Sequence, residues 1–145
     1  MSVACSAEVF SPAAGTFEPL PRMAMQRWFH AAVATEGKVV VSGGIDPGKQ
    51  FQGNAVEVYE PQSQSWVLSH AMWLTKVRAG HVAAVAAGKL YVVGGASRNV
   101  PGHASERSSQ SFDLEALTWE QQLPMRVGRL GCCGAVLKMG PGAAE

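Results

Sequence analysis

Cysteine is scarce in this chain of 145 residues: Cys5, Cys132 and Cys133 make an odd number with no C-x-x-C spacing. That indicates neither a disulfide framework nor a zinc site, and a reducing compartment is the default. Charge is scarce as well. Only 16% of the residues are Asp, Glu, Lys or Arg, and the formal net charge is +1. Nothing electrostatic therefore calls for nucleic acid or an acidic membrane as a partner. No apolar run approaches the ~18 residues that would span a bilayer, and residues 1–15 lack the basic and apolar regions of a secretion signal, so a cytoplasmic chain is expected. Catalytic signatures are missing too. There is no G-x-S-x-G, no H-E-x-x-H and no phosphate-cradling glycine loop opening a helix. No cofactor and no enzymatic activity are expected.

What the chain does contain is a repeat. Residues 27–44 and 78–95 lie 51 positions apart and share 8 of 18 residues: the leading Arg, a His, Ala32 with Ala83, Gly37-Lys38 with Gly88-Lys89, Val41 with Val92, and a closing Gly-Gly. Each copy reads as an apolar strand, a turn at Gly-Lys, a second apolar strand and a stop. The register continues beyond the glycines. Tyr59, Trp66 and Met72 are spaced by seven and six residues, as are Phe112, Trp119 and Met125, and Phe10, Phe17 and Met23. Arg129 follows Arg78 by the 51 residues that separate Arg78 from Arg27. A fixed period near 50 marks a repeat architecture, in which each unit buries its faces only against its neighbours.

Gly-Gly after an apolar strand, an aromatic, Trp seven residues on, then Met and Arg resembles the kelch repeat, over roughly residues 3–137. The resemblance implies antiparallel four-stranded blades set around a channel as a β-propeller. The expected fold is all-β: kelch blades forming an incomplete propeller arc of about 11 strands. Residues 1–25 are the back half of a blade, 26–76 and 77–127 are complete repeats, and 128–145 begin a further repeat that breaks off. Strands are expected near residues 3–10 and 16–20, then 30–35, 39–42, 55–59 and 66–69, then 82–87, 90–93, 110–114 and 118–121, and finally 130–137. Spacing differs between the complete units only in loops: Gly44 to Tyr59 is 15 residues, Gly95 to Phe112 is 17. Eleven strands do not close a ring that needs at least about four blades of four. Three readings stand: a piece of a longer propeller, a homo-dimer whose two chains supply 22 strands, or an open arc.

Function is read from the same resemblance. It implies a protein-protein interaction module that binds a partner protein or an acidic peptide at the channel mouth and at the loops joining strands two and three. Substrate recognition for a cullin-type ubiquitin ligase is one setting. Arg27, Arg78 and Arg129 precede strand one, and in kelch adaptors arginines at this place can point into the mouth, where paired guanidinium donors suit carboxylates. Their other reading is that they bind loop carbonyls. Lys49, Gln50, Asn54, Arg98, Asn99, His103 and Arg107 are the loop candidates, and Trp73 is a loop tryptophan outside the repeat. His30, His81 and Cys132 share one repeat position and read as packed strand residues rather than metal ligands. Cys132-Cys133 read as small buried strand residues, and the repeated aromatics as core. The rival class is a copper-dependent enzyme fragment of the galactose-oxidase type, but Tyr59 and Tyr91 both fit structural places. A truncated product without function is the third option.

Overall fold

The computed structural model describes residues 5–46, 53–97 and 105–137. Among these described residues ten strands follow one another in meander order: β1 Ala7–Ser11, β2 Thr16–Leu20, β3 Ala31–Thr35, β4 Lys38–Ser42, β5 Val56–Glu60, β6 Ser65–Leu68, β7 Val82–Ala86, β8 Lys89–Val93, β9 Ser109–Asp113 and β10 Thr118–Gln122. They form a β1–β2 hairpin, a β3-β4-β5-β6 sheet and a β7-β8-β9-β10 sheet, with every pairing antiparallel. This is the expected arc of antiparallel four-stranded blades.

Local sequence explains the hairpins. β3 and β4 are joined by Glu36-Gly37, with φ of 50° and 75°, and β7 and β8 by Ala87-Gly88, with φ of 48° and 72°. Positive φ at both central residues is the turn that matches strand twist, and glycine supplies the second position without strain. The turns thus sit one residue before the expected Gly-Lys pairs, and each lysine opens a strand instead. The aromatic register also holds. Phe10 pairs with Phe17, Tyr59 with Trp66 and Phe112 with Trp119, with ring centroids 4.9, 5.1 and 5.1 Å apart.

The core lies between the two complete sheets. Val40 and Val56 of the first meet Leu90, Val92 and Phe112 of the second, with Met72 and Leu74 from the crossing between them. The three consecutive valines of β4 serve two faces: Val40 enters this core, while Val39 and Val41 turn toward the β1–β2 hairpin. A strand buried between neighbouring blades needs that double-sided apolarity.

Three expectations fail at the ends of the arc, for one reason. Residues 130–137 form no strand, because among the described residues no second strand stands beside them to complete the ladder. Cys133 is exposed and Cys132 only half-buried for the same lack of cover. Phe10 and Phe17, expected as core, are 49% and 67% exposed, since among the described residues their half-blade has a neighbour on one side only. The first strand begins at Ala7, and residues 3 and 4 of its expected span lie outside the described residues. Among the described residues no helix is long and apolar enough to cross a membrane.

Candidate functional site

The residues that the repeat singles out meet where one blade joins the next. Each Gly-Gly ends a second strand and faces the arginine that opens the following blade. The Gly44 N–H donates to the Arg78 carbonyl at 2.8 Å, and the Gly95 N–H to the Arg129 carbonyl at 2.7 Å. The guanidinium turns the other way, into its own blade. Arg27 Nη1 donates to the carbonyls of Gly43 (2.7 Å) and Ala55 (2.8 Å), and Arg78 Nη1 to those of Gly94 (2.6 Å) and Ser108 (3.3 Å). Every arginine with a complete blade thus ties the end of strand two to the start of strand three. Glycine is required by close approach: a Cβ on Gly43 would stand 2.5 Å from the Arg78 carbonyl oxygen, and one on Gly94 2.7 Å from that of Arg129.

The charge of each arginine is met differently. Glu57 on β5, fully buried, accepts from Arg27 Nε (3.2 Å) and Nη2 (3.0 Å) and from the backbone N–H groups of Ala24 (2.7 Å) and Met25 (3.2 Å). Gln110 holds the same place on β9, two residues before the repeat aromatic, and accepts from the Thr75 hydroxyl at 2.5 Å. Arg78 instead donates through Nη2 to the Ser108 hydroxyl (2.8 Å), which donates to Glu106 (3.0 Å), itself paired with Lys76 at 3.0 Å. Arg78 Nε and Gln110 Nε2 are left buried without partners. Burial lowers the Arg78 pKa, with the Glu106 carboxylate opposing. The hydrogen bond from Lys76 is the largest influence holding Glu106 below its usual range.

His81 closes the joint. Its Nε2 lies 2.9 Å from the Ser42 hydroxyl of the preceding blade, and its Nδ1 is buried without a partner. Burial, then the nearby positive charge of Arg78 and the neighbouring His30, lowers its pKa to about 4. The imidazole is therefore neutral at ordinary pH and acts as an interblade spacer. His30 is exposed, and Cys132 half-buried, so the three residues of this repeat position occupy three different environments. Among the described residues no three His, Cys, Asp or Glu side chains gather as metal ligands.

The sequence-derived partner residues are distributed unevenly. Arg27 and Arg78 are buried, 5% and 0% exposed, and do not reach a solvent-facing mouth; the donors they use go to carbonyls, Glu57 and Ser108. Arg129 is exposed. Asn54 and Arg107 prove to be equivalent, and both clamp the next crossing. Their carbonyls accept from Leu74 and Met125 N–H, at 2.8 Å each, while Asn54 Nδ2 (3.4 Å) and Arg107 Nε (2.8 Å) donate back to the carbonyls of Leu74 and Met125. Trp73 packs against the core with its ring 4.7 Å from His70, and its indole N–H is buried without a partner. Lys49, Gln50, Arg98, Asn99 and His103 lie outside the described residues.

Sequence reasoning missed Glu57, Gln110, Thr75 and Ser42. A signal for the first two was present: a long polar residue recurs two positions before each repeat aromatic, at Glu8, Glu57 and Gln110. Thr75 and Ser42 gain their roles only through the blade-to-blade approach.

Comparison with known proteins agrees with this geometry. The Kelch motif family matches residues 78–126. Kelch-like protein 15 of Danio rerio is 30% identical over 126 residues, covering 81% of this chain and 20% of its own length. The N-acetylneuraminate epimerase of Escherichia coli K12 is 42% identical over 72 residues, covering 45% of this chain and 18% of its own. A solved structure, that of YjhT, superposes with a TM-score of 0.73 at 15% identity, over 87% of this chain and 46% of that one. The chain spans a fifth or less of the curated relatives it matches, between 11% and 20% for these and the others compared.

Proposed function

The chain belongs to the kelch repeat family, and from that premise we propose that it is a protein-interaction module reading an acidic segment of a partner protein with the loops between second and third strands. The observation that carries this reading is the contrast between framework and loops. The two complete blades repeat the lock bond for bond, from arginine to glycine carbonyl and from Gly-Gly to the next arginine. The loops they hold differ in length and sequence. A framework that repeats while its loops diverge puts discrimination in the loops.

In this reading Arg27 and Arg78 are positioning residues that hold the loop ends from beneath. Lys49 and Gln50 on the first loop and Arg98, Asn99 and His103 on the second make the contact, while Asn54 and Arg107 brace the crossings beneath them. Basic and amide donors among them favour carboxylates in the partner. Trp73 supports the crossing beside them, and Arg129 extends the basic edge toward the mouth. The similarity to Kelch-like proteins supports substrate recognition for a cullin-type ubiquitin ligase as the setting, and a cytoplasmic location.

The test is fluorescence polarisation against a panel of labelled Asp- and Glu-rich peptides. Combined Lys49→Ala, Arg98→Ala and His103→Ala should weaken the best binder at least tenfold and leave the thermal midpoint nearly unchanged. Unchanged affinity, or no binder in the panel, would overturn the loop reading.

The epimerase similarity favours a second reading, a sugar-acid epimerase. Against it, the hydroxyl–imidazole pair of Ser42 and His81 is sealed at 0% and 4% exposure, out of reach of a sugar. Turnover of N-acetylneuraminate followed by proton NMR would decide for the enzyme.

A further inference from the structure

Turn chemistry leaves two residues unexplained. In the turns that follow Phe10, Tyr59 and Phe112, the backbone takes a positive φ of 68° at Gly15, 49° at Gln64 and 56° at Leu117. Glycine meets that demand freely, whereas leucine is an uncommon choice there. Glu36, with φ of 50°, opens the β3–β4 turn, where Asn, Asp and Gly are the favoured residues. Neither side chain is selected by its own backbone, and both line one groove.

The groove lies between the two complete blades. Among strands of these two sheets, β3 and β7 approach most closely, so the sheets fan apart toward β6 and β10. They meet at Val40, Met72 and Phe112, and beyond that core a space of about 480 Å³ stays open. Val67 of β6 on one wall and Leu117 on the other are 51% and 59% exposed. Successive connections of a meander lie at alternate ends of its strands. The groove therefore opens beside the turn at residues 36–37, at the end opposite the loops that join second and third strands.

The charge around these apolar walls is of one sign. Lys38 is held by Glu60 at 2.8 Å, and Lys89 by Glu120 at 2.9 Å with Asp113 at 3.7 Å. Glu36 and Glu115 are exposed and form no ion pair among the described residues. A smaller hollow of about 230 Å³ shares Glu36 and Leu114 with the groove and brings in Glu115. We propose that this groove docks a basic amphipathic segment of a partner protein, with an apolar side chain between Val67 and Leu117 and lysine or arginine on Glu36 and Glu115. The apolar walls anchor the segment, and the two carboxylates select its charge and repel acidic segments. Nucleic acid and anionic lipid are repelled by the same charge. The site differs from the loop surface proposed above in place and in sign.

Fluorescence anisotropy with short labelled peptides that set leucines between lysines tests the groove. These peptides should bind, while counterparts with glutamate for lysine, or serine for leucine, should not bind there. Glu36→Asn removes the charge and installs the favoured turn residue, and Leu117→Asn removes the anchor while suiting its backbone. Each should weaken binding about tenfold or more while the thermal midpoint holds or rises. Val67→Thr, nearly the same shape on the facing wall, should weaken it in the same direction. Glu18→Lys, on the exposed β2 strand outside the groove, changes net charge by more than Glu36→Asn and should leave affinity nearly unchanged. The absence of any lysine–leucine binder would overturn the proposal. So would affinity that ignores Leu117→Asn and Val67→Thr, or that falls as far with Glu18→Lys as with Glu36→Asn, since attraction would then follow bulk charge. The combined loop substitutions at Lys49, Arg98 and His103 should leave this affinity unchanged, so each of the two surfaces can fail without the other.

Discussion

A buried guanidinium is tolerable only when its donors are met, and the two blades differ at that point. Arg27 has every nitrogen engaged. Arg78 has not: its Nε and the neighbouring Gln110 Nε2 are both buried without acceptors. Gln110→Glu would recreate the first blade's arrangement, and it should raise stability by about 1–2 kcal/mol, in the range of a charge-assisted hydrogen bond. Gln110→Leu should lower it. Urea unfolding of the three proteins measures the difference. His81 makes a pH prediction. Its folded pKa of about 4 lies below the ordinary histidine value of 6.5, so the unfolded chain binds more protons between those values. Stability is therefore complete above about pH 6.5 and is lost as pH falls toward 4. One group shifted this far is worth roughly 3 kcal/mol. His81→Gln keeps a donor for Ser42 and does not titrate. From pH 7 to 4.5 the wild type should lose roughly 2–3 kcal/mol more than this variant.

At the scale of elements, the strand-ending glycines and the turn glycines have different tasks. Gly43 has φ of 62°, and a Cβ there would also stand 2.7 Å from the His81 ring. Gly37 has φ of 75° with open space around it. Gly43→Ala should therefore cost roughly 2–4 kcal/mol, from backbone strain together with overpacking, while Gly37→Ala should cost about 1 kcal/mol from strain alone. Thermal melts of both variants give the comparison; equal losses would mean that interblade approach is not what selects glycine. Strand positions were legible to within a residue or two, because apolar runs, turn residues and paired aromatics are local signals. Residues 130–137 carry the same local signals and form no strand, because a strand is completed by its neighbour.

For the whole molecule, the described blades are covered unequally. The interior sheets bury Val40, Val56, Leu90, Val92 and Phe112 against each other, while Phe17 and Leu137 are left largely exposed. Exposed apolar faces beside an unpaired strand edge drive association.

The repeat in the sequence determined the blades, their order and their aromatic pairs, since each rests on spacing within one unit of about 50 residues. The repeated Arg, His and Gly-Gly were visible in it as well, but not their tasks. Arg27 read as a ligand-binding candidate, and Asn54 and Arg107 as loop contacts. Only the tertiary structure buried Arg27 on Glu57 and turned Asn54 and Arg107 into clamps on the next crossing. The reason is physical. Spacing along one unit fixes which residues share a strand face, whereas burial and pairing of polar groups depend on how closely the next unit approaches, and that distance is set by packing between blades.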